Sequence, residues 1–162
     1  MTNRIFVTYN PNVAIEQNTA LRLQTIANLY GIAVDLPSRT LGSTVINDET
    51  VRRISKSNFV LALSLYNMGQ EVSHELGAAI TKKKPIIALY QYGVGKNIDF
   101  QNYVNVSEIY LDLNNTDITL HEIAVFIDTQ FKQNKKETNT TVLGVLGIAL
   151  GMLALWGLSK EK

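Results

Sequence analysis

Apolar residues fall along this chain in short blocks separated by amphipathic stretches, and the alternation is regular. Ile5-Phe6-Val7 is an apolar run ending in Thr8-Tyr9-Asn10-Pro11, a strand followed by a turn. Leu23, Ile26, Ala27 and Tyr30 then recur at helical spacing, and Gly31 stops that helix. Residues 32–36 read as a second strand broken by Pro37, and a polar loop over 38–43 leads to a helix carrying Val51 and Ile54. Residues 59–65 (FVLALSL) are almost continuously apolar, as a strand buried on both faces of a parallel sheet must be. A third helix is predicted over 70–83, a fourth strand over 85–89 and a fifth over 109–113. Residues 90–107 between the last two are irregular and polar, long enough to suggest a lid or a partner surface. Thr119 and Glu122 make a capping box for a last helix with Leu120, Ile123, Ile127 and Phe131 inward. This alternation predicts a three-layer α/β domain over 1–131, a five-stranded parallel sheet with helices on both faces.

Beyond it the pattern changes. Residues 142–158 (VLGVLGIALGMLALWGL) carry no charge and contain four glycines. As a helix they would run about 25 Å, a little short of a hydrocarbon core of about 30 Å. So many glycines disfavour a helix in water, whereas a bilayer tolerates them, so 142–158 is predicted to be a transmembrane helix. Trp156 falls near one interface, residues 159–162 form a charged tail, and 132–141 (KQNKKETNTT) form a polar linker. Gly147 and Gly151 make a GxxxG that lets two such helices approach, which favours a homo-oligomer. The N-terminus, MTNRIFVTYN, lacks the apolar core of a signal peptide. The expected topology is single-pass, with the N-terminal domain cytoplasmic.

Composition narrows the chemistry. The 162 residues carry a formal net charge of +1, without the basic excess that a nucleic-acid partner demands. No cysteine is present, which excludes disulfides, iron–sulfur clusters and thiolate zinc. His74 and His121 are the two histidines, in no ligand spacing, so no metal is expected. Gly93-Val94-Gly95-Lys96-Asn97 lacks the spacing of a phosphate loop, and no nucleophile elbow surrounds Ser64. Lys82-Lys83-Lys84 reads as a solvated helix C-terminus, where positive charge suits the helix dipole.

Ligands of such sheets bind beyond the strands' carboxyl ends, where the strand order switches. That criterion selects Tyr9, Asn10, Ser38, Arg39, Ser64 and Tyr66 as candidate substrate-binding residues. The third helix adds a carboxylate. Val72, Leu76, Ala79 and Ile80 mark its core face, and Glu75 falls on the same stripe, where an unpaired charge is costly. Glu71, one turn earlier, either raises the proton affinity of Glu75 or serves the helix N-terminus. Glu75 itself either pairs with a basic residue or acts on a sugar: holding ribose hydroxyls, stabilising an oxocarbenium ion, or attacking C1′. The catalytic options require Glu75 to be out of water at the crevice, and not locked against a basic neighbour with no cavity beside it.

Three stretches carry a resemblance: RIFVTYN, the Leu41-Gly42 loop, and KSNFVLALSLYNMGQEVSHELGAAITKKKPIIAL. Over about residues 3–131 the chain resembles a Toll/interleukin-1 receptor (TIR) domain of the bacterial kind, a flavodoxin-like fold. The resemblance implies cleavage of the nicotinamide–ribose bond of NAD, as substrate rather than cofactor, in antiphage defence, with catalytic Glu75 in His-Glu-Leu-Gly-Ala-Ala. It places Tyr9 at the family's Ser-Tyr and makes residues 37–47 the loop that gates the site and mediates assembly. Asn67-Met68-Gly69-Gln70 stands where the family commonly has Ser-x-Trp. Glu-Leu-Gly-x-Ala followed by Lys-Pro-Ile is also similar to nucleoside 2-deoxyribosyltransferases, which act on the same class of bond. The TIR family includes non-catalytic adaptors as well, so a membrane-tethered assembly module is the alternative.

Overall fold

The computed structural model describes residues 4–29, 31–40, 42, 43, 45–65, 68–91, 100, 103–111, 118, 121, 122 and 125. Strands β1 (Arg4–Thr8), β2 (Ala33–Asp35), β3 (Phe59–Ser64), β4 (Ile86–Gln91) and β5 (Val106–Leu111) alternate with helices α1 (Ala14–Leu29), α2 (Asp48–Lys56) and α3 (Gln70–Thr81). Every neighbouring pair is parallel, in the order β2-β1-β3-β4-β5. This is the order of flavodoxin-like doubly wound sheets, and it switches direction between β1 and β3. The expected five-stranded parallel α/β architecture is the one adopted.

Strand alternation sorts the core into two layers. Ile5, Val7, Leu61, Leu63, Ile87 and Leu89 face one side, where α1 lays down Ile15, Ala20, Leu23 and Ala27. Phe6, Val60, Ala62, Ile86, Ala88 and Tyr90 face the other, against Ile54 of α2 and Val72, Leu76 and Ala79 of α3. Central β3 is buried at all six positions, which explains its lack of polar alternation.

Helix α2 is set by its ends. Asn47 is the N-cap, its Oδ1 accepting the Thr50 amide at 2.9 Å, with Asp48 and Glu49 in the first turn and Arg53 and Lys56 in the last. Replacing Asn47 with Ala is expected to cost about 1 kcal/mol in urea unfolding, since one amide loses its acceptor. An unchanged midpoint would count against the cap.

Three sequence expectations shift. Lys84 is not a solvated helix-end lysine: its Nζ donates to the carbonyl of Ser57, the α2 C-cap, at 2.9 Å, and burial holds its ammonium below the usual lysine range. Strand β5 begins at Val106 rather than Ile109. Its Ser107 and Glu108 break the apolar run that the sequence reading relied on. Strand β4 runs on to Gln91, and the connection after it is anchored at its far end. Phe100 is buried, Tyr103 packs on the α3-side core, and the Tyr103 hydroxyl donates to the Lys84 carbonyl at 2.6 Å.

Ile118, His121, Glu122 and Val125 are helical. The inward positions expected for that helix, Leu120, Ile123, Ile127 and Phe131, lie outside the described residues. So do the linker 132–141, the apolar segment 142–158 and the tail 159–162. Among the described residues no helix is long and apolar enough to cross a membrane.

Candidate functional site

The β1/β3 switch point brings together groups from four parts of the chain. Alternation along β1 puts Thr8 on the same face as Phe6, toward α3, so its hydroxyl meets the helix rather than α1. On α3, Glu75 sits one residue before Leu76 on the buried stripe and is 3% exposed. Arg39 arrives from the loop between β2 and α2. Its Nε donates to Glu75 Oε1 and its Nη2 to Oε2, each at 3.0 Å, a side-on two-point pair. Nη2 also donates to the Tyr9 carbonyl at 2.8 Å, and the guanidinium carbon lies 4.9 Å from the centre of the Tyr9 ring. The Thr8 hydroxyl donates to Glu75 Oε2 as well.

Burial pushes the Glu75 carboxyl above the ordinary carboxylate range. Hydrogen bonds and charge from Arg39, then the Thr8 hydroxyl, pull it back, while Glu71 adds to the rise. Of the two conditions the sequence reading set on this residue, burial is met.

The remaining candidates divide. Tyr9 is not on the rim; it is 9% exposed, part of the α1-side core, and its ring faces Arg39. Asn10 is buried and turns its amide against Gly69: a Cβ there would stand 3.2 Å from Asn10 Cγ and 3.1 Å from Glu71 Oε2. Glycine at the α3 N-cap therefore permits the close approach of Asn10 and Glu71. Glu71 lies in the first turn, where negative charge is favourable, and is half-buried. Ser38 is tied to α2 rather than to Glu75: its amide donates to Thr50 Oγ1 at 3.0 Å and its carbonyl accepts that hydroxyl at 2.6 Å. Ser64 ends β3 on the α3 side of the sheet, two residues after Ala62, and its Oγ is buried without a hydrogen-bond partner. Tyr66 lies outside the described residues.

Two participants escaped the sequence reading. Thr8 was read as the start of a turn, although alternation from Phe6 aims it at α3. Glu16 is fully buried, and its two oxygens accept the Asn10 amide at 3.0 Å and the Leu65 amide at 3.1 Å. It joins the exits of β1 and β3 across the switch point. The signal was present: Glu16 lies on the α1 stripe formed by Ala20, Leu23 and Ala27, the same anomaly that singled out Glu75. Among the described residues no group of histidines and carboxylates could hold a metal ion.

No family model and no curated protein matches this sequence. Among solved structures, the chain is similar to the TIR domains of the activated Roq1 resistosome that recognises the pathogen effector XopQ. The identity is 17% and the TM-score 0.42, covering 94% of this chain and 84% of that one. It is similar in the same degree to the flavodiiron core of Flv1 from Synechocystis sp. PCC6803, at 14% identity and TM-score 0.42. That match covers 96% of this chain and 36% of the other. Equal likeness to two such different proteins does not choose between them, and what the site does must be argued from its own chemistry.

Proposed function

We propose that the chain is a membrane-anchored TIR-like enzyme that cleaves the nicotinamide–ribose bond of NAD, with Glu75 as its catalytic carboxylate. The observation that supports this reading is the place of Glu75: withdrawn from water at the carboxyl end of the sheet, beside the point where the strand order switches. The described arrangement is then the resting one, with Arg39 occupying the carboxylate. When Arg39 moves aside, Glu75 meets the ribose of a bound NAD. The C1′–N bond breaks with its electron pair leaving on nicotinamide, which departs as the neutral base. The ribosyl cation is held against the carboxylate until water adds at C1′ and releases a proton, or until an internal nucleophile closes a cyclic product. Burial strengthens this stabilisation, because a charge in a poorly hydrated site acts through a low dielectric.

A second reading has its own support. Arg39 and Thr8 together satisfy Glu75 so fully that the three residues also serve as a clamp fixing the β2–α2 loop to the sheet. On that reading the domain is a non-catalytic assembly module, tethered by 142–158 and paired through its GxxxG.

The test is nicotinamide release from NAD by the full chain at high surface density in liposomes. No release despite demonstrable self-association would leave the assembly module standing. Release of free base from a deoxynucleoside, with NAD untouched, would move the assignment to base exchange. Tethering is tested separately: deleting residues 141–162 is expected to shift the protein from the membrane pellet to the supernatant. A truncated chain that still sediments with membranes would remove the anchor.

A further inference from the structure

Arg39 uses only part of its donor set. In a side-on pair, Nε and Nη2 face the carboxylate and Nη1 points away from it. Here Nη1 is buried and has no hydrogen-bond partner. A guanidinium N–H pair withdrawn from water without an acceptor is rare, and charge makes its loss of hydration costly. Ser64 Oγ, at the carboxyl end of the strand beside β1, is a second buried group without a partner. The cation is held in place by the Tyr9 carbonyl and ring, so its free edge is a fixed feature of the crevice.

We propose that Arg39 is an anion subsite for the phosphate groups of the substrate, and that occupying it is what frees Glu75. The inference rests on the reading of Glu75 as the catalytic carboxylate. A phosphate offers the guanidinium the same two-point geometry that the carboxylate now supplies, so it takes over the fork while Nη1 gains an acceptor. A ligand without an anionic group returns nothing to Arg39, and parting the pair would then strand two buried charges. NAD carries both replacements: its pyrophosphate takes the place of Glu75 on Arg39, and its cationic nicotinamide-ribose end takes the place of Arg39 against Glu75. The ion pair is exchanged rather than broken. Arg39 thereby selects phosphorylated substrates over bare nucleosides.

The experiment has a binding arm and a turnover arm. In calorimetry with inorganic pyrophosphate, the full chain in detergent should bind, and Arg39→Gln should lose at least tenfold in affinity, a loss of one charge-assisted contact (about 1.4 kcal/mol per factor of ten). Glu75→Gln removes the competing carboxylate, so its pyrophosphate affinity should rise above wild type, which a purely structural role for the pair would not produce. Circular dichroism of each variant, with Arg39→Lys as the charge-retaining control, separates lost binding from lost folding. In the turnover arm, nicotinamide riboside, with the same ring and sugar but no phosphate, should be cleaved at least about a hundredfold less efficiently than NAD, and pyrophosphate should raise the KM for NAD. Equal pyrophosphate affinity in folded Arg39→Gln, or riboside cleaved as well as NAD, would overturn the proposal. If pyrophosphate binds through Arg39 but nothing is cleaved, the anion subsite stands and the assignment of Glu75 falls.

Discussion

Replacing Arg39 with Ala is expected to destabilise the domain by about 3–5 kcal/mol near pH 7–8, and the loss should shrink as the solution is made more acidic. The cost comes less from the contacts removed than from what they leave behind: a Glu75 carboxylate, 3% exposed, with the Thr8 hydroxyl as its remaining described donor. Burial already raises the proton affinity of this group above its ordinary value of 4.5, and Arg39 is the main influence opposing the rise. Without it the rise is larger. The folded protein then holds its proton more tightly than the unfolded chain, so stability falls as pH climbs from about 4.5 through the folded-state value. Below that window Glu75 is protonated in both states and the variant should approach wild type. Urea unfolding at several pH values measures this directly. A deficit that is the same at pH 5 and pH 8 would show that the pair's charge is not what matters. Changing both partners together, Arg39→Met with Glu75→Gln, should recover most of the loss, because no charge is then left unpaired.

Glu75→Gln alone is expected to separate activity from folding. The amide nearly matches the carboxylate in volume and still offers the Thr8 hydroxyl an acceptor, but it leaves the Arg39 cation without its counter-charge. Urea unfolding should therefore show a loss, smaller than for Arg39→Ala because Arg39 is 18% exposed and keeps the Tyr9 carbonyl. Nicotinamide release from NAD should fall at least about a hundredfold, because about 3 kcal/mol of cation stabilisation disappears with the negative charge. The loss should appear in kcat, since the charge matters most when the ribosyl cation forms. Comparable turnover by the two proteins would reduce Glu75 to a clamp and return the domain to the assembly reading.

How much of this was legible before any coordinates depended on distance along the chain. The apolar run at Phe59–Ser64 announced a buried parallel strand because nothing else tolerates six consecutive core positions outside a helix. Glu75 was legible because it offends a helical stripe, a local pattern readable within twelve residues. Its partner was not, because Arg39 lies 36 positions earlier in a loop whose path the sequence does not encode by periodicity. Arg39 was chosen for its place after a strand; what it would hold was invisible. Strand β5 drifted by three residues because an edge strand, paired on one side, keeps polar residues such as Glu108 that blur its start. Glu16 was overlooked because an acid in the first turn of a helix has an ordinary explanation, although the stripe argument applied to it equally.

Glu16 also bears on how the crevice can move. Its one carboxylate receives an amide from beyond β1 and another from beyond β3, so those two exits behave as a single rigid wall. Arg39, by contrast, belongs to a segment carried by edge strand β2, whose grip on that wall is the Glu75 pair and the Tyr9 carbonyl. Entry to the carboxylate is therefore asymmetric, a door hung on one side. Whatever draws the arginine away opens the whole passage, and the opposite jamb does not yield.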